Sequence, residues 1–292
     1  MQNDEIGVAG LEWLTRNKLP VGDVAESIVD WLTENAYWVF DAIADVLKSV
    51  IEGILWLLLA PHPLIVVAVI VALAVIVKRN IAFAAFVAVS LLFIINQGYW
   101  SETMETLALV AAASFVCVII GVPIGVMAAH RPRVYVVMRP VLDMMQTIPT
   151  FVYLIPALIL FGLGMVPGLV ATVIFAVPAP IRLTQLGVSS TPSHLLEAGH
   201  AFGATKSQLL WKIELPYALP QIMAGLTQTI MLSLSMVVIA GMVGAPGLGA
   251  EIVRALGRAD IAKGFEVGVA IVLIAIILDR FFQQQETNGD RK

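Results

Sequence analysis

The sequence predicts an all-α membrane protein with about seven transmembrane helices, and three observations carry that prediction. Hydrophobic residues make up 59% of the chain and charged residues 13%, with a mean hydropathy of +0.92. Soluble domains carry about 25% charged residues. Residues 107–129, 144–181 and 217–250 hold no charge at all, and a bilayer core of ~30 Å takes about 20 apolar residues per helix. The segments between these runs collect Arg, Lys, Gly and Pro, as connections outside the bilayer do.

The elements follow in order. Residues 1–52 are acidic, from Asp4 and Glu5 through Asp41, Asp45 and Glu52. They show no basic start followed by an apolar core, so no cleavable signal is expected. Val39, Phe40, Ile43, Val46, Leu47, Val50, Ile51, Ile54 and Leu55 recur with a helical period. They predict an amphipathic helix, lying either in the outer interface or against the protein's own spans. Trp31 and Trp38 suit the interfacial depth. Residues 64–77 and 81–95 are short and span only if their flanks join in. Residues 107–129 supply one span. Residues 144–181 supply two, split by Gly162, Gly164, Pro167 and Gly168. Residues 217–250 supply one, ending in a Gly-rich stretch at Gly244–Gly249, and residues 265–282 supply the last. Gly121-Val-Pro-Ile-Gly125 is a small-xxx-small pattern that lets helices approach closely.

The Lys/Arg balance sets the orientation. With the N-terminus outside, the inner connections hold Lys78, Arg79, Arg131, Arg133, Arg139, Arg182, Lys206, Lys212, Arg280, Arg291 and Lys292. The outer side holds Arg16, Lys18, Lys48, Arg254, Arg258 and Lys263. The asymmetry favours N-outside and C-inside, and it places residues 190–216 in the cytoplasm.

Several chemistries are absent. Gly-Lys never occurs as a dipeptide, so the chain has no P-loop for ATP, and it has neither Gly-x-Ser-x-Gly nor His-Glu-x-x-His. Cys117 is the single cysteine, which excludes an intrachain disulfide. His194 and His200 share one loop without carboxylate or Cys company at ligand spacing, so no metal is expected. A net charge of −4 argues against a nucleic-acid partner.

One polar segment with helix-like spacing stands between the apolar runs. Pro192 and Ser193 can open a helix, Gly203 can make a left-handed turn, and Leu209, Leu210 and Ile213 share a face after it. Two short helices at an angle would make a knob that fits a groove on a partner. Within it Glu197, Ala198, Gly203, Ile213, Leu215 and Pro216 match, at the right spacing, the "EAA" loop of permease subunits of ABC (ATP-binding-cassette) importers. The segment resembles that loop throughout, with Gly199 replacing the third-position Ala; a small residue still suits a tight turn there.

The resemblance extends from Glu105 to Arg280. Residues 139–149 (Arg-Pro-Val-Leu-Asp-Met-Met-Gln-Thr-Ile-Pro), 151–156, 233–240, Gly247-Leu-Gly249 and 271–280 are similar to the glycine betaine/proline and choline permeases of the osmoprotectant-uptake family. This implies a type I ABC importer permease core over residues 101–280. Ahead of it stand an acidic leader (1–60) and two N-terminal helices (61–100), and a cytoplasmic tail (281–292) follows. It also implies a multi-pass inner-membrane protein that is no enzyme and binds no cofactor. Its partners would be a second permease copy, two separate ATPase subunits carrying ATP and Mg, an extracytoplasmic substrate-binding protein and the lipid bilayer. The loop residues Glu197, Ala198, Gly199, Gly203, Ile213, Leu215 and Pro216 would couple to the ATPase.

Polar side chains in spans face the protein interior. Gln146, Thr147, Phe151 and Tyr153 on one span, with Thr227, Gln228, Thr229, Ser233 and Ser235 on another, are therefore candidates for a translocation path or for helix pairing. Asp143 is expected to pair with an Arg nearby, Arg139 standing at i−4. Two other readings remain. One is a permease for another small solute such as methionine, against which the middle and last spans argue. The other is a membrane-embedded enzyme or channel, which would need paired catalytic groups at membrane depth or would have no use for the loop.

Overall fold

The computed structural model describes residues 20–282, and every element among them is helical. The acidic residues before Pro20, with Arg16 and Lys18, and the tail with Arg291 and Lys292 lie outside the described residues. Helix α1 is Val21–Leu59, α2 Pro63–Lys78, α3 Ile81–Asn96, α4 Trp100–His130 and α5 Pro132–Thr147. Then come α6 Thr150–Phe161, α7 Met165–Ala176, α8 Pro178–Ser189, α9 Ser193–Ala201 and α10 Lys206–Leu209. After a π turn at Leu210–Glu214, the chain continues as α11 Leu215–Met242, α12 Leu248–Gly257 and α13 Ile261–Phe282.

Four helical stretches are long and apolar enough to cross a bilayer: Trp100–His130, Met165–Ser189, Lys206–Met242 and Ile261–Phe282. The count rises to six if α1–α2, bent by 97°, and α5–α6, bent by 90°, are each taken as one span. The seven expected segments are all helical, but only these four are long and apolar enough to span by themselves. The remaining apolar helix, α3, has 16 residues, and at 1.5 Å per residue it covers about 24 Å. Breaks at His62 (ψ 138°) and Ile148 (ψ 131°), which precede Pro63 and Pro149, explain the bends, since a residue before proline is pushed out of the α region. Pro123 lies inside α4 without ending it.

The C-terminal third of α1 distinguishes between the helix's two expected settings. Leu47, Val50, Ile51, Ile54, Leu55 and Leu58 pack on Ala108, Leu109, Ala112 and Ala113 of α4 and on Leu169 of α7. Ile51 is fully buried there, whereas Trp31 and Trp38 stay exposed. The C-terminal third of α1 thus packs against the protein's own spans. The α2–α3 hairpin turns tightly at Arg79, which adopts φ 50°, and at Asn80, whose Oδ1 accepts from the amides of Ala82 and Phe83. The hairpin then packs its Ala74, Ala84, Val87 and Leu91 against Ile274 and Ile277 of α13.

The centre is a close crossing of α4 on α8. A Cβ on Gly121 would lie 2.7 Å from Cγ of Pro180, and one on Gly125 would lie 2.6 Å from Cβ of Thr184 and 2.7 Å from the Ile181 carbonyl. The small-xxx-small pattern therefore serves contact within one chain.

Candidate functional site

The segment 193–216 has the two-part form that its spacing predicts, with one important difference. Gly203 takes φ +75°, and its amide donates to the His200 carbonyl at 2.9 Å while that of Ala204 donates to Gly199 at 3.0 Å. These bonds close α9. Thr205 then caps the next helix. Its Oγ1 accepts from the Gln208 amide, and Oε1 of Gln208 accepts from the Thr205 amide at 2.8 Å. The Thr-x-x-Gln spacing is a capping-box signature that sequence reading passed over.

The second half is not a separate short helix. It runs into α11, giving a 37-residue rod, Lys206–Met242. A proline lacks an amide and its ring presses on the carbonyl four residues back. Pro216 would therefore disturb a regular α-helix at Lys212. The π turn Leu210–Glu214, with the Leu215 amide donating to the Leu210 carbonyl, widens the helix at that place. Such turns cluster at functional sites.

Gly199 also differs from expectation. It sits inside α9, buried, not in a turn. A Cβ there would lie 2.5 Å from Cδ2 of Leu209 and 2.8 Å from Cδ1 of Ile213, so the glycine lets α9 press on the start of the rod. Glu197 and Ala198 are exposed on α9, Ile213 and Leu215 are half-buried, and Pro216 is exposed in the first turn of α11. His194 and His200 are exposed. Two exposed apolar side chains crown the knob: Phe202, 92% exposed, and Trp211, 69%. Neither belongs to the spacing motif, and both are what a groove-filling projection requires.

Polar bonds tie this end of the protein together. Nε2 of His130, the last residue of α4, stands 2.8 Å from Oε2 of Glu214. Glu214 is buried, and it occupies the unspecified position of the motif. Asp143 pairs with Arg182 at 2.7 Å, not with Arg139. The bend after α5 and the crossing of α8 bring Arg182 across to α5, and its other guanidinium nitrogen donates to Oε1 of Gln146 at 3.1 Å. Gln146 in turn donates to the Phe175 carbonyl at 3.4 Å.

The remaining path candidates divide by position. Thr147, Phe151, Gln228 and Ser235 are exposed on the surface of the chain. Tyr153 and Thr227 are half-buried; Thr227 donates to the Met223 carbonyl. Thr229 and Ser233 are buried, Thr229 donating to Gly225. The α5–α6 and α11 segments meet around α7, where Leu154, Ala171, Met236 and Val243 form one cluster with Tyr153 beside it. Among the described residues no group of three or more His, Cys, Asp or Glu is placed to hold a metal.

A bundle of apolar helices carrying an apolar-tipped projection is the form of a permease subunit worked by a separate motor. Residues 121–287 match the family of binding-protein-dependent transport system inner membrane components. The chain belongs to that family, as a multi-pass permease of the inner membrane. It is 50% identical over 208 residues to the glycine betaine/proline betaine transport system permease protein ProW of Escherichia coli (strain K12), covering 70% of this chain and 59% of that one. It is 52% identical over 198 residues to the glycine betaine/carnitine transport permease protein GbuB of Listeria monocytogenes serotype 1/2a, covering 68% and 70%. The chain thus spans little more than half the length of ProW. Among solved structures, a permease chain from inward-facing conformations of the MetNI methionine ABC transporter superposes with a TM-score of 0.55 at 25% identity, covering 62% of this chain and 94% of that chain.

Proposed function

We propose that this chain is the membrane half of an importer for trimethylammonium solutes: glycine betaine, proline betaine and choline-like compounds. The observation that carries the substrate class is the half-identity to permeases named for glycine betaine, proline betaine and carnitine. Two permease copies form the path, two ATPase subunits dock on residues 197–216, and a binding protein delivers solute outside. Residues 1–60 act as an acidic leader, 61–100 as an added hairpin, 101–280 as the permease core and 281–292 as a cytoplasmic tail.

ATP binding draws the two loops together, and hydrolysis releases them. The continuity of Lys206–Met242 supports this lever, since a displacement at the knob moves the span itself. Glu197, Ala198, Gly203 and Pro216 shape the contact face, Gly199 and Ile213 hold its two halves together, and Leu215 opens the span. The exposed residues Thr147, Phe151, Gln228 and Ser235 face the second copy and line the path, with Gln146, Tyr153, Thr227, Thr229 and Ser233 supporting it from within. A path needs only weak contact with the cationic head, such as an aromatic face provides, because tight binding would hold the solute.

Uptake of labelled betaine, choline and methionine into vesicles holding the permease, its ATPase and the binding protein tests the reading. Betaine or choline should accumulate with ATP. Thr147→Trp, at an exposed position, should obstruct that uptake. Accumulation of methionine alone would replace the substrate class, and normal transport by Thr147→Trp would remove this face from the path.

The orientation is tested separately, with Cys117→Ser as background. A cysteine replacing Asp4 should react with an impermeant thiol reagent on intact cells, and one replacing Asn288 should not. The reverse pattern would place residues 197–216 outside and remove the docking proposal with it.

A further inference from the structure

We propose that His130 and Glu214 form a clasp that passes the motion of the loop to α4, making His130 a positioning residue for transport; this rests on the reading of residues 197–216 as the ATPase-coupling loop. The loop is continuous with α8 on one side and α11 on the other. Helix α4 has no chain connection to it. Yet α4 packs through Gly121 and Gly125 on Pro180 and Thr184 of α8 and carries the cluster that holds α1. A device that shifts α8 and α11 must carry α4 with them, or this close crossing is strained.

The geometry supplies the connection. The π turn ends at Glu214, and the 2.8 Å contact to His130 lies at the junction of loop and span. The Glu214 side chain is 11% exposed, while that of His130 is 47% exposed. A buried carboxylate needs a partner, and removing it leaves the group uncompensated. Nε2–H of His130 donates to Oε2 in either the matching neutral tautomer or the cation, so the clasp works in both states. The carboxylate sits buried at the end of the π turn, and the imidazole reaches it from the end of α4. The bond also joins the base of the rod, where the π turn has loosened the regular ladder. Motion of the knob would otherwise be absorbed there by a change in the turn.

The test uses the full complex, permease with ATPase and binding protein, in vesicles. The readout is ATP hydrolysed per solute accumulated, with ATPase co-purification as the check of assembly. His130→Phe keeps ring volume but removes the donor. It should co-purify with the ATPase and raise the ATP-to-solute ratio about tenfold, the range of an ordinary coupling between sites. Glu214→Gln keeps an oxygen that can accept from His130 and should stay near the wild-type ratio. The double change His130→Phe with Glu214→Leu should be no worse than His130→Phe alone, as expected for partners in one bond. Gly203→Val, run alongside, reports on the loop itself. A wild-type ratio in His130→Phe while Gly203→Val is impaired overturns the clasp and leaves the loop standing. A wild-type ratio in both removes the loop reading. Loss of ATPase co-purification in His130→Phe assigns the pair to folding and overturns the clasp as well.

Discussion

ATP-driven uptake should fall steeply in Gly203→Val while the protein still inserts at its normal level. The residue holds φ +75°, and a Cβ there would meet nothing within 4 Å. The cost therefore comes from the backbone alone. A β-branched residue is a genuine outlier at positive φ, and such strain costs ~1–3 kcal/mol. The turn can relieve it only by opening the bonds from Gly203 to His200 and from Ala204 to Gly199. Opening them swings Phe202 away from α9 and alters the face offered to a partner. The spans are not touched, which is why insertion survives. Glu197→Arg tests the same face by charge, since Glu197 is exposed on α9. Uptake assays beside quantification of membrane-inserted protein separate the two effects. Normal uptake by both variants would dismiss residues 197–216 as the coupling site.

A second change acts on the fold itself. Gly249→Val should abolish recovery of folded protein, with destabilisation beyond the ~1–3 kcal/mol of ordinary overpacking. A Cβ on Gly249 would fall on the carbonyl of Val237, inside non-bonded contact distance, and one on Gly241 would lie 2.6 Å from the Ala250 nitrogen. Here α11 and α12 meet backbone to backbone, so no side-chain rotation can make room. Nearby, Gly247 takes φ +120°, and the Leu248 amide donates to Oγ1 of Thr106 at 2.9 Å, tying α12 to α4. Expression of a fluorescent fusion, followed by size exclusion in detergent, measures the outcome. A monodisperse Gly249→Val peak melting at the wild-type temperature would show that the crossing can relax.

Much of segment 193–216 was legible because its signals are local. Gly203 announces a turn, Leu209, Leu210 and Ile213 announce a face, and the spacing from Glu197 to Pro216 matches a known loop. What escaped was non-local, with one exception. Thr205 and Gln208 spelled a cap that could have been read. His130 and Glu214 are 84 positions apart, and nothing in either neighbourhood points to the other. Asp143 shows the same limit. Arg139 is its neighbour along the helix, but Arg182, 39 positions away, takes the contact, because tertiary packing overrides spacing.

The sequence by itself determined that the chain is helical and membrane-embedded, that it has no ATP-cradling loop, and where its polar projection interrupts the apolar runs. These follow from composition and from period, which each residue carries regardless of its partners. The tertiary structure decided which apolar stretches run on as long helices and which are sharply bent, and that the knob is one rod with α11. It also decided that Gly199, Gly241 and Gly249 serve close approach rather than turns, and which acid meets which base. Those outcomes depend on where helices cross, and a crossing is set by the shapes of two surfaces at once, a property that no single segment contains.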